Sequence, residues 1–190
     1  MQGDALKTSK DSKVILEFFD GTKVRMGEDS EIVFEEIKST GEQNEFIFTL
    51  RRGDMWVNKS VVEDVRTDVI VNMANIKITS IGTVFALTQG KEEKVRIVKG
   101  KVKVDVLKPE DDEVKVVDSF EVGVGQEAIF GAKEIREFRE YKRPYVLEAL
   151  SDEFKLSDWY KWNAGEDKNP TVFSSDPGVN TSVLTSEPAT

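Results

Sequence analysis

The chain has 190 residues, no cysteine and no histidine, and its 36 Asp and Glu outnumber 27 Lys and Arg for a formal net charge of −9. The missing thiols exclude disulfides and thiolate metal sites, and the missing imidazoles exclude a Ser-His-Asp triad, His-ligated zinc and the usual proton shuttle near pH 7. The acidic excess repels phosphate backbones, so nucleic acid is not an expected partner, and no apolar run approaches the roughly 18–20 residues that cross a bilayer.

Met1 to Lys13 is polar and lacks the apolar centre of a signal peptide. The abrupt entry into a strand pattern at Val14 suggests that the native gene encodes more sequence upstream. From there to Phe130 short strands alternate with turn signals. Val14 to Phe19 meets Asp20-Gly21, and Thr22 to Met26 alternates apolar with polar. Asp-Gly between two such runs predicts a hairpin, because both central residues of a type I′ turn need a positive φ.

Further runs follow at Glu31–Phe34, Glu45–Leu50, Met55–Val57, Asp68–Met73, Ile76–Ile81 and Thr83–Thr88. Lys94–Val98 and Lys101–Leu107, joined by Lys99-Gly100, alternate almost without a break and predict another hairpin. Val114–Val117 and Glu127–Phe130 close the β region, linked through Gly123, Gly125 and Gln126. About ten short strands at this spacing predict a mainly β fold. Its form is an antiparallel sandwich or roll with solenoid-like β-hairpins, followed by short C-terminal α-helices and a flexible tail. Trp56 and Phe85 sit between apolar neighbours and are expected in the core.

Helical periodicity begins after Ala132, where Ile135, Phe138 and Tyr141 repeat at i+3. Ser157 has the position of an N-cap, with Trp159 and Trp162 one i+3 step apart on the helix that follows. Three units are therefore expected: a β domain over 3–131, a helical extension over 132–164 packed on it, and a Ser/Thr/Pro-rich tail over 165–190. The tail offers too little apolar surface to offset the backbone entropy of ordering it, ~1–2 kcal/mol per residue. Residues 166–190 should be dispensable for stability.

No residues point to catalysis, a cofactor or a metal. The acid clusters Glu35-Glu36, Asp111-Asp112-Glu113 and Asp152-Glu153 have neither calcium-loop spacing nor any visible pairing across a cleft, and solvated loops explain them. Gly123-Val124-Gly125-Gln126 lacks the ending of a phosphate loop. Two surfaces remain as candidate contacts. Trp159, Tyr160 and Trp162 form a partner or sugar platform, or else a stripe packed onto the sheet. Lys94, Arg96, Lys101 and Lys103, with Lys99, form a basic docking face, or else a sheet face kept soluble.

Taken in order, several stretches resemble the FecR-type domain of bacterial extracytoplasmic proteins. They are Gly3-Asp4-Ala5-Leu6-Lys7-Thr8, Asp20-Gly21-Thr22, Ser30-Glu31-Ile32, Gly53-Asp54-Met55-Trp56-Val57, Gly82-Thr83-Val84-Phe85-Ala86, Lys99-Gly100-Lys101-Val102 and Gly125-Gln126-Glu127-Ala128. The resemblance spans about residues 3–130, and it consists of turn glycines and core residues. It implies an all-β, partly solenoid-like domain outside the cytoplasmic membrane, often tethered by an upstream transmembrane helix. The members that give the family its name regulate sigma factors in response to an outer-membrane receptor. This chain shows neither their anti-sigma segment nor the small domain that usually follows the β unit.

The expectation is therefore a non-catalytic envelope module that binds a protein partner, in a sensory or scaffolding role. A domain that binds carbohydrate or wall polymer is the alternative, and a hydrolase using paired acids is a more distant one.

Overall fold

A computed structural model describes residues 3–59, 65–80, 82–111, 113–141 and 147–168. Its strands are β1 (Ala5–Lys7), β2 (Val14–Glu17), β3 (Lys23–Met26), β4 (Glu31–Ser39), β5 (Gln43–Asn58), β6 (Arg66–Asn72) and β7 (Ile76–Ser80). They continue as β8 (Val84–Gln89), β9 (Glu93–Lys99), β10 (Lys101–Glu110), β11 (Glu113–Gly123), β12 (Gln126–Phe130) and β13 (Glu148–Ala149). The helices are α1 (Ala132–Tyr141), α2 (Asp152–Leu156) and α3 (Asp158–Lys168).

The protein is mostly β-strand, and its one continuous sheet curls into two halves that share β5. The first half runs β1-β4-β5-β6-β7-β10-β11 and uses β5 residues 43–52. The second runs β2-β3-β5-β8-β9-β12-β13 and uses β5 residues 53–58. After β5, strand pairs are laid down alternately: β6-β7 in the first half, β8-β9 in the second, β10-β11 in the first, and β12 back in the second. This alternation is the solenoid-like feature that the turn spacing foreshadowed.

Gly53 is where β5 changes halves. Its φ is +85°, and a Cβ there would stand 2.6 Å from the Ser30 Cα. The Ser30 hydroxyl accepts a hydrogen bond from the Asp54 N–H at 2.9 Å, which ties the crossing of β5 to the entry of β4. Crossing also turns the strand over. Phe46, Phe48 and Leu50 face the core before Gly53, and Met55 and Val57 face it afterwards. Trp56 is fully buried as expected, but against a separate cluster on the outer face of the second half. Phe85 is fully buried in the core between the halves.

Three local expectations need correction. The fold is not wholly antiparallel, because β5 and β6 are parallel, Gln43 beside Arg66 through Thr49 beside Asn72. β5 ends at the far side of the second half, and the chain returns to start β6 alongside the start of β5. Lys99-Gly100 is not a hairpin turn: β9 pairs with β8 and β12, while β10 pairs with β7 and β11. Gly100, at φ +77°, instead carries the chain between halves against Thr83, whose carbonyl also accepts the Lys59 N–H at 3.1 Å. The β2-β3 hairpin does form, but across five residues. Phe18 N–H donates to the Thr22 carbonyl at 2.9 Å, and Gly21 alone in that loop has a positive φ. The Asp20 carboxylate organises the loop by accepting the Thr22 N–H and hydroxyl and the Thr67 hydroxyl, each at 2.9 Å.

Gly53 and Gly41 share a left-handed φ, +85° and +84°, but nothing lies within 4 Å of a Cβ at Gly41. Gly41→Ala should therefore lose only the conformational penalty, ~1–2 kcal/mol. Gly53→Ala should lose clearly more, because the added methyl meets the Ser30 backbone. Urea midpoints of the two variants test this, and equal losses would contradict a close-packed crossing.

Candidate functional site

The outer face of the second sheet half carries the densest assembly of polar and aromatic side chains. Strand alternation projects Arg25 from β3, Trp56 and Asn58 from β5, Ala86 from β8, Arg96 from β9 and Glu127 from β12 onto it. Helices α2 and α3 cover this face. The chain arrives through β13, which pairs with β12, and the Leu150 N–H donates to the Gly125 carbonyl at 2.8 Å. The Ser151 N–H then donates to the Glu127 carboxylate at 2.9 Å. Phe154 is buried beneath Arg96, whose guanidinium lies 4.3 Å from the ring centroid. Arg96 also donates to Glu127 and to the Thr88 hydroxyl, both at 3.0 Å.

Ser157 caps α3, its hydroxyl accepting the Tyr160 N–H at 3.1 Å. The side of α3 that meets the sheet is Tyr160, Asn163 and Asp167, a 3–4 spacing that aligns one face of a helix. Tyr160 stands edge-on to Trp56 at 5.9 Å and to Phe154 at 5.3 Å. Two turns further, the Asp167 carboxylate accepts three hydrogen bonds: from Arg25 at 2.6 Å, Asn58 at 2.7 Å and the Trp56 indole N–H at 3.1 Å. Arg25 is only 1% exposed, so this carboxylate neutralises a guanidinium sealed beneath the helix. Among the described residues, the Arg25 Nε and the Trp159 indole N–H are buried there without a protein acceptor.

Of the aromatic residues singled out in sequence, Trp159 and Tyr160 are half-buried against the sheet. Trp162 lies against Trp159 with the rings tilted and their centroids 5.5 Å apart, and the Lys13 ammonium sits 4.8 Å from its ring centroid. The expected basic face does not exist as one surface. Lys94 and Arg96 lie in the second half, Lys101 and Lys103 in the first. Each cation has its own acid: Lys94 with Glu92, Arg96 with Glu127, Lys101 with Glu121 and Lys103 with Asp105.

Sequence reasoning missed Arg25, Asn58, Asn163 and Asp167. The available signal was the i+3, i+7 continuation of the Tyr160 face into Asn163 and Asp167. Helix α3 runs to Lys168, beyond the expected start of the tail at 165, so a cut at 166 would remove Asp167. Residues 169–190, the rest of that tail, lie outside the described residues. Among the described residues no cluster of three or more acids has the arrangement of a metal site.

At one end of the sandwich, α1 and the β6-β7 and β8-β9 turns enclose a groove of about 470 Å³. Buried Glu93 accepts the Asn75 N–H at 3.0 Å and its side-chain amide at 2.8 Å, and Asn75 in turn accepts Arg139 from α1 at 2.9 Å. Arg139 also donates twice to the Leu107 carbonyl, at 2.6 and 2.9 Å, so one chain of contacts holds both turns and the helix.

Asp167→Ala should destabilise the protein by about 3 kcal/mol, because it strands a buried guanidinium. Tryptophan emission should shift to the red as Trp56 gains solvent, and unchanged emission and midpoint would remove Asp167 as the clasp of α3.

Burial pushes the Glu93 carboxyl above its ordinary value of 4.5. A raised folded-state pKa means a contribution to stability that is complete below the ordinary Glu range and lost as pH rises through the raised value. Glu93→Gln should therefore match or exceed the parent in melting temperature at pH 7. That advantage should vanish below pH 4.5. A lower melting temperature at pH 7 would show that the charged form is favoured by its bonds to Asn75.

The family described as FecR protein matches residues 4–103, from just before β1 into β10. Comparison with curated proteins returns no match. Among solved structures, the chain is similar to a proposed anti-sigma factor from Parabacteroides distasonis ATCC 8503, in crystals at 1.65 and 2.50 Å resolution. Each comparison has a TM-score of 0.54 and 13% identity, and covers 78% of this chain and 60% of the other. That likeness shows a shared fold, and this chain spans three-fifths of that protein's length. The family match takes in more than half of the 190 residues and every strand that builds the β5 crossing. The chain belongs to the FecR family.

Proposed function

We propose that this chain is a non-catalytic, extracytoplasmic protein-interaction module of a signalling protein, held at the membrane by sequence outside the present chain. The observation that carries this reading is the FecR match over residues 4–103. The similar fold of a proposed anti-sigma factor points the same way. The residues that carry the resemblance sit at turns and in the apolar clusters, where they specify a rigid body of defined shape. A rigid body suits a part that presents surfaces and passes on a change of position.

The C-terminal helices fit that role. They are held on the β body by Asp167, Phe154 and the β13 pairing, so a displacement of one is felt by the other. The carbohydrate reading draws no support from the aromatic residues, since Trp159 and Tyr160 are spent on packing against Trp56 and its neighbours.

The test is genetic. In-frame deletion of the segment encoding this chain should change transcription of a small set of genes controlled by one alternative sigma factor. A wild-type copy should restore it, and a copy carrying Asp167→Ala should restore it only in part. An unchanged transcriptome with altered wall or envelope integrity would overturn the signalling role in favour of a scaffold.

A further inference from the structure

The two sheet halves have four edges, and three are closed by short strands: β1 with 3 residues, β2 with 4 and β13 with 2. The fourth is β11, with 11 residues. Among the described residues its one strand partner is β10. A long edge strand with no second strand partner among the described residues can offer backbone N–H and C=O groups to another chain. Val114 and Val116 lie side by side on this edge, 63% and 49% exposed.

The charges along β11 select the occupant. Pairing with β10 slips at Val117: Asp118 stands opposite Val106, and Val116 opposite Leu107. Lys115 then stands opposite Lys108, two positions from Val106 on β10. Residues two apart on a strand share a face. The bulge therefore brings Lys115 and Asp118 onto the same face of β11, although three positions separate them. If two copies of β11 run antiparallel about an axis between Val116 and Val117, Lys115 of each copy faces Asp118 of the other. Val114 faces Ser119, the exposed Val116 and the core-facing bulge residue Val117 meet at the axis on opposite faces, and no like charges meet from Glu113 to Phe120. Lys115 now contacts Glu110 at 2.7 Å, but Lys108 also holds that carboxylate at 3.0 Å, which leaves Lys115 free to change partners.

We propose that β11 pairs with β11 of a second copy in this register, so that the protein self-associates as a two-fold dimer through that edge. The register joins two opposite-charge pairs, covers Val114 and Val116, and extends the first sheet half continuously across both copies.

Sedimentation equilibrium on the full chain, from about 1 μM to 1 mM, tests the proposal. The parent should pass from monomer to dimer within that range. Lys115→Asp places like charges opposite each other twice and should weaken association about tenfold or more. The double variant Lys115→Asp/Asp118→Lys restores both pairs with reversed polarity and should recover dimerisation. Circular dichroism of each variant establishes that the fold is retained. A parent that stays monomeric throughout, a Lys115→Asp variant that dimerises like the parent, or a double variant that fails to recover would each overturn the proposal.

Discussion

Ser30 and Gly53 meet where β5 leaves one half of the sheet for the other, and the rest of the architecture follows from that meeting. A strand that serves two facing sheets must reverse which of its side chains points inward. β5 does so at a residue with φ +85°, where only the absence of a side chain lets β4 approach. Ser30 stitches the two backbones together by accepting the Asp54 N–H. Because β5 belongs to both halves, their spacing and mutual twist are fixed by covalent geometry as well as by the apolar contacts between them. The later strand pairs then add to two edges already in place, alternating between halves, with glycines at the crossings after β7, β9 and β11.

The same reversal explains why the C-terminal helices dock where they do. Turning β5 over places Trp56 on the outside of the second half, where an indole would be costly to leave in water. Arg25 stands beside it on β3. An indole and a guanidinium on a sheet surface need a cover that supplies apolar contact and negative charge together. Helix α3 supplies both on one face, Tyr160 for the ring and Asp167 for the charge. A buried ion pair contributes less to net stability than to specificity, because desolvation offsets much of the attraction. Asp167 therefore fixes where α3 sits more than it strengthens the protein, and a helix of eleven residues with modest apolar content needs such a fixed point.

Much of this fold was legible in the residues. Period-2 alternation gave the strands, and turn glycines gave their ends. Ser157 gave the start of α3. Partner choice was not legible. Lys99-Gly100 signals a positive φ, and that φ serves a crossing between halves as well as a hairpin. Likewise, Asp20-Gly21 announces a reversal without stating that Asp20 bonds Thr67, 47 positions away. Trp56 looked like a core residue because its neighbours are core. Only the change of parity at Gly53 sends it to the other face. The Asp167 contacts were hidden for a different reason: an acid near the end of a polar helix looks solvated until the sheet beneath is known to carry an unpaired guanidinium.

Alternate laying of strand pairs in two sheets has no built-in stop, since each new pair presents an edge like the one it covered. The second half ends in a turn of chain, where the two residues of β13 cover only the start of β12 before α2 begins. The first half ends on β11 with no such device among the described residues. Its protections are the charged residues Glu113, Lys115, Asp118 and Glu121 and the slip in register at Val117. Bulges and charges on an edge ordinarily discourage foreign strands. Here the bulge also sorts the charges by face, so that Lys115 and Asp118 oppose most strands yet match a copy of themselves. An edge of this kind discriminates by register, excluding strands in general while admitting one particular sequence.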